Sequence, residues 1–300
     1  MILNYSGLQD REAWEKAGVA LPKYDWKAMC AETAENPVWV HFGAGNIFRI
    51  FIAGLQQRLL NQGAAKAGIV AVETFDAEVV ERIYAPHDSM TLAVSLKADG
   101  SIDKEIVASI AKGVVASDDA GREELKAIFR KPSLQMLSFT ITEKGYALRD
   151  MKGELTPLAA ADIEAGPAAP KHAMGVVASL LLERYSAGGT PIAVVSMDNC
   201  SHNGEKLRAG VTEIARRFYR QAKRIERRKF QQGGILFGQQ NRFIERDQKA
   251  AAPVLRHAVD RQHIQSRPHR LRQFFIGIKI SVTLLNPSLT HQCLALTIRN

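Results

Sequence analysis

Cysteine is scarce in this chain. Cys30, Cys200 and Cys293 are the only three in 300 residues, far apart and without the paired spacing of a zinc or iron–sulfur site. This excludes a disulfide scaffold, predicts no metal site, and fits a reducing, cytoplasmic setting. Long apolar runs are missing too. None approaches the roughly 20 residues needed to cross a bilayer, and residues 1–6 lack the basic-then-apolar order of a secretory signal. No membrane partner is expected. Before residue 220 there is no internal repeat and no low-complexity tract.

Acid is missing only locally. Residues 1–220 carry 25 Lys+Arg against 27 Asp+Glu, a balance of −2, whereas residues 221–300 carry 15 against 4, a balance of +11. The formal charge of +9 therefore comes from the last quarter. Glutamine shifts with it, five before residue 221 and ten after. Such a step marks a boundary in organisation.

What is present upstream is alternation. Residues 1–36 read as an irregular, partly helical lead-in. Residues 38–42 then form an apolar strand, followed by a helix over 46–62 with Ile47, Phe51, Leu55 and Leu59 on its buried face. Strand 68–73 is apolar on both faces, as a covered parallel strand must be. A short helix over 77–84, strands over 90–96 and 106–110 around the Ala98-Asp99-Gly100 turn, and a helix over 118–130 come next. Then come strand 134–142, helix 171–185, strand 191–197 and an amphipathic helix over 203–220 with Leu207, Val211, Ile214 and Phe218 on one side. The pattern predicts an α/β fold with a doubly wound, mostly parallel sheet over 37–220. Periodicity is lost over 231–272.

The first strand runs into Gly43-Ala44-Gly45-Asn46-Ile47-Phe48-Arg49. A glycine turn between a strand and a helix presents the helix's unpaired N–H groups to a phosphate. Gly43 allows the tight turn, Gly45 allows close backbone approach, and Arg49 adds charge; Phe48 stands where the usual fingerprint has its third glycine. Glu73 ends the second strand, 28 residues after Gly45, against about 20 in the usual fingerprint. An acid there accepts hydrogen bonds from a ribose and repels a 2′-phosphate, so Glu73 or Asp76 predicts NAD over NADP; Asp76 also suits a helix cap.

Two further strand ends are polar. Lys144 follows strand 134–142 and is placed to reach a carbonyl oxygen, or to be a surface lysine beside a turn. Residues 196–206 hold Asp198, Asn199, Cys200, Ser201, His202 and Asn203, a set able to meet a polyhydroxylated substrate or to cap the next helix. Cys200 and His202 are too close along one turn, and lack an orienting partner, to form a nucleophile pair.

Residues 39–49, 138–146 and 196–207 together resemble the mannitol dehydrogenase family, the polyol-specific long-chain dehydrogenases that include fructuronate reductases. The resemblance runs over about residues 1–220. It implies a Rossmann-type fold and metal-free, NAD-dependent hydride transfer between a sugar acid or polyol and its keto form. It further implies a cofactor on residues 43–49 and substrate at Asn199 in the Asp198-Asn199 pair; Asp198 and Lys144 are candidate substrate contacts on their place at the strand ends. Family members are longer, and their second, helical domain supplies a lysine base followed by asparagine and histidine. No such constellation occurs in residues 221–300, so no catalytic residue is assigned. The composition step at 221 reads as a truncation or a change of coding frame, with impaired activity as the expectation. The alternative is a Rossmann binding protein whose basic tail, residues 223–229 and 261–272, contacts nucleic acid through charge alone. No nucleic-acid motif supports it, and oligomeric state is left open.

Overall fold

The computed structural model describes residues 1–232, with side chains to Arg220 apart from Tyr219. The expectations for 233–300, and for the side chains of 221–232, lie outside the described residues.

The expected lead-in is folded. Asp10 accepts from Ala13 N (3.3 Å) to open helix α1, Arg11–Lys16, and Asp25 accepts from Ala28 N (3.1 Å) to open α2, Trp26–Glu35. Strand β1, Val19–Ala20, lies between them. Leu8, Trp14 and Val19 are buried with Met90, Ile106 and Ala108 in one small core. That apolar burial, which scattered aromatics in the sequence understate, is what orders the segment.

Strand β2, Trp39–Phe42, follows, buried along its whole length. After it the chain makes a wide turn over Phe48–Ile52, where Ala53 N–H reaches back to Phe48 O, and continues into α3, Ala53–Asn61. The buried face lies one position from the expected one. Phe48, Ile52, Gln56 and Leu60 are buried, whereas Ile47 is 64% exposed, Phe51 41% and Leu59 37%. The offset is set at the start, where Phe48 and not Ile47 turns inward and stacks on His41 of β2.

Strand β3, Ile69–Glu73, leads to a second wide turn, Val79–Tyr84, in place of the expected short α-helix. Strands β4, Thr91–Leu96, and β5, Ile102–Val107, pair antiparallel around the expected turn. The single strand expected at 106–110 is in fact two, because β5 ends at Val107 and β6, Ile110–Val115, begins after Ala108 and Ser109. Gln57 explains the break. Its Nε2 donates to Ile106 O (2.7 Å) and its Oε1 accepts from Ala108 N (2.7 Å), so a buried side-chain amide replaces a strand partner. Helix α4, Asp119–Arg130, is capped by Asp118 as expected, and β7 is Met136–Phe139.

The two sheets have different characters. β1, β5 and β4 form a small mixed sheet; β6, β3, β2 and β7 lie side by side in that order, all parallel. The parallel set is the buried one, with Val40, Phe42, Ile69, Ala71, Val72, Met136, Leu137 and Phe139 at most 4% exposed.

The chain divides into two compact units, the first Met1–Thr140 and the second beginning at Ile141. The second comprises α5, Glu143–Tyr146; α6, Pro157–Ala165; α7, Ala173–Ser186; strand β8, Ala193–Ser196; and α8, Asn203–Gln232. Asp162, buried, accepts from Lys171 N (2.9 Å) and His172 N (2.7 Å), and His172 Nδ1 accepts from Met174 N (3.1 Å), which together start α7. On α8 the expected apolar side holds, since Leu207, Val211, Ile214 and Phe218 are all buried.

Replacing Gln57 by Leu leaves the buried Ile106 carbonyl and Ala108 amide without partners. Denaturant unfolding is expected to show a loss of about 2–4 kcal/mol; a change below about 0.5 kcal/mol would exclude the strand-partner role.

Candidate functional site

The C-terminal end of β2 delivers the chain into the glycine turn, and the neighbours of that turn hold it fast. Gly43 N–H donates to Val72 O (2.9 Å). Gly43 has φ +105°, and a Cβ there would sit 2.0 Å from Thr140 O, so no other residue fits. The Ala44 peptide is held on both sides. Its N–H donates to Glu73 Oε2 (3.3 Å), and its C=O accepts from the Tyr84 hydroxyl (3.1 Å). Burial pushes the Tyr84 phenol well above its ordinary pKa, which keeps the proton on the donor.

Gly45 is the opposite of Gly43. It is exposed, and a Cβ on it would meet nothing within 4 Å. Arg49 N–H donates to Gly45 O (3.0 Å) and opens the helix. The amides of Gly45, Asn46 and Ile47 belong to the first turn and have no acceptor within the helix. Phe48 is buried in place of a third glycine, its ring stacked on His41 at 4.0 Å and 5°. The Arg49 guanidinium donates to the Asn46 side-chain Oδ1, and its Nε is buried without a protein partner. Backbone amides in series, an open glycine and a half-satisfied guanidinium make a site for a phosphate-sized anion.

The two acids behave differently. Glu73 spends its carboxylate on backbone: beyond Ala44 N, Oε1 accepts from Thr74 N (2.9 Å) and Phe75 N (3.1 Å). Asp76 is exposed, and its carbonyl accepts Val79 N–H (3.2 Å) at the start of the next turn.

Sequence reading missed His41, taking it as part of an apolar strand. It is fully buried, with Nδ1 2.7 Å from Ser138 Oγ and Nε2 2.7 Å from Thr140 Oγ1. Burial lowers its pKa from 6.5 to about 3. The available signal was cross-strand spacing: Ser138 on the partner strand is the register partner of His41, and Thr140 follows two residues later, just past the strand end.

In the second unit, Asp198 faces inward. Its carboxylate accepts from Ile141 N (3.0 Å) and from the buried Tyr146 hydroxyl, which also lies 2.8 Å from Ser196 Oγ. Desolvation raises the Asp198 pKa, although both hydrogen bonds oppose the shift. The Asp198 carbonyl accepts from Asn203 Nδ2 (2.7 Å). Asn199, between these anchors, is exposed, as is Lys144 on α5. His202, in the left-handed region at φ 55°, pairs with Glu205 at 3.2 Å on the surface and is not joined to Cys200. Among the described residues, no three His, Cys, Asp or Glu side chains gather as a metal site, and no helix is long and apolar enough to cross a membrane.

A parallel strand, a locked glycine turn and an open helix N-terminus define a dinucleotide-binding α/β unit. The family model of the mannitol dehydrogenase Rossmann domain matches residues 38–229, and the chain belongs to that family of oxidoreductases. It is 46% identical over 216 residues to D-mannonate oxidoreductase of Thermotoga maritima, covering 72% of this chain and 40% of that one. It is 30% identical to mannitol 2-dehydrogenase of Cereibacter sphaeroides, covering 66% and 40%. The fold matches Pseudomonas fluorescens mannitol 2-dehydrogenase, solved as a ternary complex with NAD and D-mannitol, with a TM-score of 0.62 and 26% identity over 74% of this chain and 43% of that one. The chain thus spans about 40% of the length of the curated relatives it matches.

His41 also makes stability depend on pH. The unfolded chain binds a proton near pH 6.5 that folded His41 refuses until about pH 3, so stability falls as pH drops through that window, by at most about 1.4 kcal/mol per unit. His172 shifts in the same direction. Denaturant midpoints are expected to decrease from pH 7 to pH 5, above the carboxylate range, with a shallower slope in His41→Gln. A flat wild-type profile would contradict the burial of neutral His41.

Proposed function

We propose that this chain binds NAD at the glycine turn and descends from an enzyme that moves a hydride between a sugar acid or polyol, of mannonate or mannitol type, and its keto form. The observation that carries the reading is Gly45: exposed, with open space where its Cβ would stand, beside first-turn amides without helical acceptors. In this reading Gly43 and Ala44 shape the turn. Gly45, Asn46, Ile47 and Arg49 take the diphosphate, Phe48 packs beneath, and the ribose lies toward Glu73 and Asp76. NAD supplies the hydride acceptor. In the second unit, Asn199 and Lys144 serve as substrate contacts, and Asp198 holds the Asn199 loop through Ile141, Tyr146 and Asn203.

The family resemblance assigns the base to a Lys, Asn and His set beyond residue 220, so what is proposed for the described residues is dinucleotide binding. Titration of the chain with NADH, followed by its fluorescence, is expected to saturate, with NADPH binding more weakly. Gly45→Ala should leave stability within about 0.5 kcal/mol of the parent while lowering NADH affinity more than roughly tenfold. Gly43→Ala should destabilise the fold itself. Absence of NADH binding by the folded wild type, or normal binding by Gly45→Ala, would refute the assignment.

A further inference from the structure

We propose that His41, as its neutral Nε2–H tautomer, is a positioning residue for the cofactor turn, relaying one directed hydrogen-bond chain from Trp39 to the Gly43 carbonyl. The proposal rests on the reading that this turn receives the dinucleotide.

The direction follows from proton bookkeeping. Trp39 Nε1–H is a donor only and gives its proton to Ser138 Oγ at 2.7 Å. Ser138 is fully buried, and its hydroxyl has two partners among the described residues, Trp39 and His41. Trp39 accepts nothing, so the Ser138 proton goes to His41 Nδ1, which must be bare. A neutral imidazole with a bare Nδ1 carries its proton on Nε2, and donates it to Thr140 Oγ1 at 2.7 Å. Thr140, holding that bond, turns its own proton to the Gly43 carbonyl at 3.4 Å, the longest link.

The same residues make the turn rigid. Thr140 N–H donates to Phe42 O (2.9 Å), and Thr140 O closes the space beside Gly43. Phe48, the first residue of the wide turn, stacks on the His41 ring. A reversed or charged imidazole would place an N–H against the Ser138 proton and leave that hydroxyl unsatisfied in a dry core. His41 therefore connects the strand interior to both ends of the phosphate turn without touching the cofactor.

Two measurements on the full chain test this. Long-range ¹H–¹⁵N spectra of histidine-labelled protein are expected to show His41 as the Nε2–H tautomer throughout pH 5–8. Thr140→Val, which keeps the shape and removes the hydroxyl, is expected to remain folded by its thermal midpoint yet bind NADH up to roughly tenfold more weakly. Thr140→Ser should restore wild-type affinity. An Nδ1–H tautomer overturns the proposal, as does wild-type NADH affinity in Thr140→Val or failure of the serine variant to rescue. A wild type that shows the Nε2–H tautomer but binds no NADH overturns the proposed function, and the positioning role falls with it.

Discussion

The structure turns on one peptide group. Ala44 presents its N–H to Glu73 and its C=O to Tyr84, and this grip fixes the point where the first parallel strand gives way to a helix. Both partners come from the next strand and turn, so the sheet pairing of β2 with β3 and the glycine turn are one construction. A glycine turn left to itself would spend its ordering entropy on binding. Here that entropy is lost during folding, and the first-turn amides stand ready for an anion.

The same economy appears in the second unit at Asp198. A carboxylate at a strand end reads as a substrate ligand, but this one is turned inward, onto the Ile141 amide and the Tyr146 hydroxyl. Its neighbour Asn199 is left outside. The two adjacent polar residues therefore divide the work, one holding the loop and one facing outward, which is the arrangement expected where a side chain must be aimed by backbone alone.

Much of this was legible in the sequence, and the failures have physical causes. Strands β2 and β3 were visible because a covered parallel strand needs apolar residues on both faces. Helix α8 was visible because Leu207, Val211, Ile214 and Phe218 keep regular pitch. The buried face of the helix after the turn was misplaced by one position because Phe48, not Ile47, turns inward onto His41, a contact that helical pitch alone does not reveal. The break between β5 and β6 was hidden because its cause is Gln57, about fifty residues earlier, acting as a surrogate strand. His41 was hidden because its partners lie about a hundred residues away, on β7 and just past its end. Glu73 reads from the sequence as a free acid at the end of its strand, and nothing local reveals that its carboxylate already serves three backbone amides. Contacts of long sequence separation are what a pattern of nearest neighbours cannot carry.

The most direct test of the account is amide chemical-shift mapping on addition of ADP-ribose, which carries the diphosphate without the nicotinamide. The resonances of Gly45, Asn46 and Ile47 are predicted to move furthest and to saturate together. Shifts that leave those three amides in place, and gather instead on the arginine-rich face of α8 around Arg208 and Arg216, would contradict it.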